Sequence, residues 1–138
     1  MSTRLEKKLE NLTQTLDHLI QESARGTAIV VEGKKDLEAL RELGVQGKIL
    51  SAKTGGRSFL DLLSEIEEAE PREVILLFDF DRRGREWTKR LKMHLEKARI
   101  KANVTFWCEL YKLLGKDVKD IESITTYMET LKSKTKNS

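Results

Sequence analysis

The apolar positions at the start of the chain fall on one side of a helix. Leu5, Leu9, Leu12, Leu16 and Leu19 are spaced alternately by four and three, which stacks their side chains along one helical face. Thr3 with Glu6 has the form of a capping box, and Gly26 ends the pattern. An amphipathic helix of about six turns is therefore expected within residues 1–25. Beyond it the period changes repeatedly. Thr27 to Val31 is a short β-branched run, Lys34 to Leu43 a helix closed by Gly44, Lys48 to Ala52 a second strand and Arg57 to Ala69 a helix. Glu73 to Phe78 (EVILLF) suits a strand buried on both faces. Arg85 to Arg99 reads as a helix, Asn103 to Trp107 as a fourth strand, and Asp117 to Leu131 as a last helix with Ile121, Ile124, Met128 and Leu131 on one face. The lysine-rich end, residues 133–138, is expected to fray.

Strands alternating with helices at this spacing imply an α/β fold, doubly wound around a mainly parallel four-stranded sheet, with the opening helix as an addition. With 138 residues there is room for one core, here 26–132, and no internal repeat or linker divides it. The first helix packs on this domain or pairs with a partner, in a homodimer or a protein complex. One cysteine and two histidines exclude an intrachain disulfide and the usual zinc cages, so any metal must take oxygen ligands. No apolar run approaches the roughly 20 residues of a membrane span, and the start lacks the apolar core of a signal peptide. A cytoplasmic protein with no membrane partner is the expectation. The net charge of +3 says little, but its distribution is polarised. Arg82 to Lys101 carries nine basic residues against two acids, and Leu60 to Glu73 six acids against one Arg.

In an open parallel sheet, ligands bind outside the carboxyl ends of the strands. The polar residues just beyond three of the apolar runs are Glu32-Gly33-Lys34-Lys35-Asp36, Lys53-Thr54-Gly55-Gly56-Arg57-Ser58 and Asp79-Phe80-Asp81-Arg82-Arg83-Gly84. Where a strand is still extended, residues two apart project to the same side. Asp79 and Asp81 so placed would repel unless one is protonated or a cation lies between them, and Mg²⁺ (or Mn²⁺) suits two carboxylates. The structural alternative is that both cap the following helix. Glu32, directly after a buried strand and beside a Gly, is not needed for a turn. Asp36 suits a cap or a partner for Lys34. Lys53, Gly55, Gly56 and Arg57 could present cations and backbone N–H groups to a phosphate, or form an ordinary strand-to-helix turn. Trp87 and Trp107 read as core, His94 as a half-buried hydrogen-bonded side chain, and Cys108 as a small hydrophobe.

The combination of Glu-Gly in IVVEGKKD, Asp-x-Asp with a following Gly in ILLFDFDRRG and an α/β chain of this size resembles a Toprim domain. This is the catalytic module shared by topoisomerases, primases, overcoming-lysogenization-type nucleases and small ribosomal-RNA maturation nucleases. The resemblance covers roughly Gly26 to Asp120 and implies that Glu32 acts as general acid or base and that Asp79 and Asp81 bind the divalent metal. Several family members carry a further acid just beyond the second Asp, where this chain has Arg83 and Gly84. A third carboxylate would then come from Asp117 or Asp120, in a stretch resembling the later acids of primases and maturation nucleases; both also suit helix caps. A topoisomerase needs a nucleophilic Tyr on a separate domain, and a primase needs flanking domains, so neither fits. What remains is a metal-dependent phosphoryl-transfer enzyme acting on RNA or DNA, a small nuclease or the catalytic subunit of a nuclease complex. Lys34, Lys53, Arg57, Arg82 and Arg83 would hold the phosphate backbone. Two alternatives stay open: a non-catalytic module using the same rim to bind nucleic acid or protein, and a haloacid-dehalogenase-like phosphatase. The latter usually carries its Asp pair on the first strand.

Overall fold

The computed structural model describes residues 3–53 and 58–136. Its elements are α1 (Arg4–Ala24), β1 (Ala28–Val31), α2 (Lys34–Leu43), β2 (Ile49–Ser51), α3 (Phe59–Glu68), β3 (Glu73–Leu77), α4 (Arg82–Lys97), β4 (Lys101–Asn103), α5 (Thr105–Leu114) and α6 (Ile124–Lys136). The four strands are all parallel in the order β2-β1-β3-β4. The connection from β1 runs to one side and that from β3 to the other, so the strand order reverses between β1 and β3. Alternation along the strands sends Ile29, Val31, Ile75 and Leu77 to one face and Val30, Val74 and Leu76 to the other. The first face is covered by α1, α5 and α6 with Leu40 of α2, the second by α3 and α4.

Local sequence explains most boundaries. Thr3 and Glu6 close the capping box of α1, and Gly44 takes the left-handed conformation (φ 109°) that ends α2. Ser58 caps α3 by accepting from Asp61 N. Two expectations fail. The fourth strand is Lys101–Asn103, not Asn103 to Trp107, because Asn103 Oδ1 accepts from Thr105 N and turns the chain. Cys108 N then donates to Val104 O, opening the unexpected α5. Trp107 therefore lies on a helix, half-buried, with its indole N–H on Phe78 O at 2.9 Å. Cys108 is exposed. The last helix starts at Ile124 rather than Asp117, since residues 117–123 form turns in which Asp120 Oδ1 accepts from Ser123 N. It continues to Lys136, through most of the stretch expected to fray.

The apolar stripe of α1 is used within its own chain. Leu12 and Leu19 are fully buried and Leu16 nearly so, in the same cluster as Leu110 and Leu114 of α5 and Leu131 of α6. At the far end Ser23 Oγ accepts from Gly47 N, tying α1 to the loop before β2. Among the described residues no helix is long and apolar enough to cross a membrane. Truncating Leu12 or Leu19 to Ala should cost about 2–5 kcal/mol each, as for a core leucine. Urea denaturation measures this, and a loss under 1 kcal/mol would mean that α1 is an appendage rather than part of the core.

Candidate functional site

Glu32 and Asp79 follow β1 and β3, the two strands between which the order reverses, and ligands bind at such a point. Val31 is level with Leu77 in the sheet, so the two acids leave adjacent strand ends. Lys53 is aligned with Glu32 by a continuation of strand pairing, its N–H donating to Glu32 O at 3.0 Å. Its ammonium reaches Glu32 Oε1 at 2.7 Å, and Arg83 Nε lies 3.8 Å from the same oxygen. Glu32 itself is only 8% exposed, and its Oε2 is buried without a hydrogen-bond partner.

Burial alone would raise the Glu32 carboxyl. A hydrogen bond with Asp79, then the Lys53 ammonium, outweigh it and hold the group below its ordinary value. Asp79 moves the other way, pushed up to about 8 by burial first and then by Glu32 and Asp36; the Ile121 N–H, donating to its Oδ1 at 3.3 Å, opposes this only in part. The pair therefore carries one proton, on Asp79, which hydrogen-bonds to Glu32. Glu32 Oε2, buried with no donor on it, and the Asp79 carboxylate are hard oxygen donors that suit a divalent cation in place of that proton. Among the described residues no group of three or more His, Cys, Asp or Glu is already arranged around a cation position.

Asp81 has a different local role. Phe78 packs on the α3 and α4 face and Phe80 on the opposite one, although strict alternation would put them together, so the extended period breaks at Asp79. Asp79 and Asp81 both lie beyond β3, and Asp81 caps α4, its Oδ1 accepting from Gly84 N at 2.7 Å. The other carboxylate oxygen of Asp81 has no hydrogen bond or ion pair among the described residues. Gly84 is required by proximity. A Cβ there would fall on the Asp79 carbonyl oxygen, 2.6 Å from its carbon and 2.9 Å from its nitrogen.

The remaining candidates divide. Lys53 and Arg83 join the site as partners of Glu32. Lys34 is exposed and lies 4.0 Å from Glu38, and Arg82 pairs with Glu86 at 3.2 Å. Gly55, Gly56 and Arg57 lie outside the described residues. Asp117 is away from the carboxylates, bound by Lys8 at 2.9 Å and the Tyr127 hydroxyl at 3.1 Å, which hold it below its ordinary value. Asp120 is half-buried and close enough to raise Asp36. Asp36 does not pair with Lys34. It is 6% exposed, and its two oxygens accept from Gly33 N at 3.1 Å and Glu122 N at 3.0 Å. Sequence reasoning missed the segment 119–122 as a structural part of the site: Lys119 O accepts from Phe80 N at 2.7 Å, while Ile121 and Glu122 present N–H groups to Asp79 and Asp36. Its acidic run was the available signal.

Comparison with known proteins agrees with this fold. The family model of the Toprim domain matches residues 27–107. The chain is 32% identical over 130 residues to a UPF0292 protein of Methanosarcina barkeri, covering 94% of this chain and 88% of that one. It is 36% identical over 126 residues to a UPF0292 protein of Methanocaldococcus jannaschii, covering 91% and 95%. A solved structure of a protein from Aquifex aeolicus superposes with a TM-score of 0.69 at 27% identity, over 82% of this chain and 97% of that one.

Two outcomes are expected. Gly84→Ala should destabilise the fold by about 1–3 kcal/mol or more, as overpacking against backbone does, whereas alanine in an open helix position would stabilise it; thermal melts decide between them. In metal-free protein, Asp79 retains its proton up to about pH 8, while an unfolded Asp loses it near about 4. The folded state then binds more protons between these values, so stability falls as pH rises through that window. Glu32, shifted downward, acts oppositely and loses its contribution as pH falls through its folded value. Urea midpoints in chelator from pH 4 to 9 should show the upper slope in the native chain and its flattening in Asp79→Asn.

Proposed function

This chain belongs to the Toprim domain proteins and, within them, to the UPF0292 family, and on that footing we propose that it is a divalent-metal-dependent phosphoryl-transfer enzyme acting on nucleic acid, a small nuclease or the catalytic subunit of a nuclease complex. The observation that carries this reading is the buried, unpartnered Glu32 Oε2 facing the proton-retaining Asp79 at the point where the strand order reverses. Toprim domains typically bind Mg²⁺. Asp79, the free oxygen of Asp81 and Glu32 Oε2 are the groups to hold it, and when bound the ion neutralises a phosphate oxygen and the charge developing on the attacking or leaving oxygen.

The protein's own groups supply the rest. Glu32, kept ionised by Lys53 and Arg83, is suited to accept a proton from an attacking water. Lys53 and Arg83, 45% and 61% exposed at their side chains, can each turn one face to Glu32 and offer another to a phosphate. Buried Asp36 is a positioning residue, since both of its oxygens are committed to backbone N–H groups of α2 and of the segment that carries Ile121.

A second reading has its own support: the 2.7 Å pairing of Lys53 on Glu32 and the use of Asp81 as a helix cap suit a rim that binds nucleic acid without cutting it. Turnover separates the two. Under the enzymatic reading, wild-type protein in Mg²⁺ or Mn²⁺ cleaves at least one of single-stranded RNA, structured RNA and DNA. Glu32→Gln then lowers the rate at saturating Mn²⁺ by about two to four orders of magnitude while its melting temperature stays near wild type. Binding without cleavage across that panel would establish the second reading instead.

A further inference from the structure

A strongly basic concavity lies outside the Toprim match, between α1 and α5. It comprises two adjoining cavities of about 450 and 400 Å³ that share Asn11, Lys112 and Leu113. The larger is lined by Arg4, Lys7, Lys8, Lys112 and Lys116, with Asp117 as its one acid. The smaller continues it with Gln14, Thr15 and His18 and adds a second acid, Glu109. Asp117 is already bound to Lys8 at 2.9 Å. Arg4, Lys7, Lys112 and Lys116 are exposed and have no ion pair within 4 Å among the described residues.

Folding does not call for this arrangement. Arg4 and Lys7 occupy the first turn of α1, where the helix dipole disfavours cations. Like charges gathered around one concavity repel further. An anionic ligand relieves both. One short segment links the groove to the carboxylates: from Asp117 at its edge the chain runs to Lys119, whose carbonyl holds Phe80 N, and to Ile121, whose N–H holds Asp79. Four residue steps span at most about 14 Å, or about four nucleotides at the ~3.4 Å rise of a duplex strand. Arg83 flanks the carboxylates by its position on α4.

We propose that the α1–α5 groove is a second phosphate track, which holds a nucleic-acid strand as it continues beyond the Glu32–Asp79 rim. This rests on the reading that the rim acts on nucleic acid. A strand long enough to reach both places gains affinity from the groove; one that covers the rim alone does not.

The test is fluorescence anisotropy on the full chain with labelled single-stranded RNA and DNA of 3 and 20 nucleotides, in chelator, over a range of salt. Three proteins are compared with wild type: K7E/K112E/K116E in the groove, R82E/R83E at the rim, and K48E/K132E/K134E, an equal charge change on exposed residues elsewhere. The groove variant should bind the 20-mer at least 10-fold more weakly, with a salt slope smaller by about 2 to 3. It should bind the 3-mer within about 3-fold of wild type, and the charge-matched control should lose less than 3-fold on either length. Equal losses for groove and control variants, or equal losses on both lengths, overturn the track. A 20-mer weakened only by R82E/R83E also overturns it and leaves the rim reading intact. The reverse separation is a groove effect on the 20-mer in a protein that cleaves no strand in Mg²⁺ or Mn²⁺: the track then stands and the enzymatic reading falls. Wild-type protein binding neither length would overturn both.

Discussion

Two carboxyl groups brought together at the ends of adjacent buried strands are the constraint around which this molecule is arranged. Glu32 is buried and Asp79 half-buried, so burial disfavours charge on both, and Glu32 raises the cost of ionising Asp79 while a hydrogen bond with Asp79 helps to keep Glu32 ionised. The fold answers in three ways. Lys53, held level with Glu32 by the sheet, neutralises one member of the pair. The Ile121 N–H gives the other a partial donor. The last part of the imbalance is left standing as a proton on Asp79. A structural acid pair is normally relieved completely, by pairing or by replacement with apolar groups. Retained imbalance in a strand-end crevice is what a site that takes up a cation requires.

Much of the surrounding structure follows from fixing those two groups. The first turn of α4 presses directly on the Asp79 backbone, which accounts for Gly84, and Asp81 holds that turn in place by capping it. From the other side, residues 119–122 bond to Phe80, Asp79 and Asp36, and Asp36 in turn caps the first turn of α2 through Gly33. Because Ile121 and Ile124 are fully buried with Leu12, Leu16 and Leu19 of α1, the position of the segment that meets Asp79 depends on a helix outside the Toprim module. The α1–α5–α6 layer is thus a support for the rim as well as a cover for the sheet.

The parts of this arrangement legible in the sequence are those governed by local chemistry. Strand β3 was legible because EVILLF has no polar interruption, and α2 because Gly33 and Gly44 bracket one amphipathic stretch. Helix α5 was not: Val104 and Thr105 look like strand residues, and the bond from Thr105 N to Asn103 Oδ1 that turns the chain there leaves no mark beyond a single Asn. In the site, motif and position identified Glu32 and Asp79. The different situation of Asp81 could not be read, because it depends on the backbone leaving the extended period at Asp79. Lys53 and Arg83 were legible as cations near the rim, but their convergence on one oxygen of Glu32 is a product of tertiary alignment. Lys34, only two residues from Glu32 in sequence, opens α2 and lies 4.0 Å from Glu38 instead.

The departure at Arg83 changes the electrostatics of the rim. Several Toprim domains place a further acid beyond the second Asp, and here a guanidinium approaches Glu32 to 3.8 Å instead. Exchanging an acid for Arg shifts the local charge by two units toward positive, and Lys53 moves it further in that direction. An isolated cation is therefore drawn to this rim less strongly than to one with three free carboxylates. A phosphate brings negative charge of its own, favours Lys53 and Arg83 as partners, and by engaging them removes their attraction for Glu32. On the proposed function, anion and cation would then bind with mutual reinforcement, each improving the site for the other.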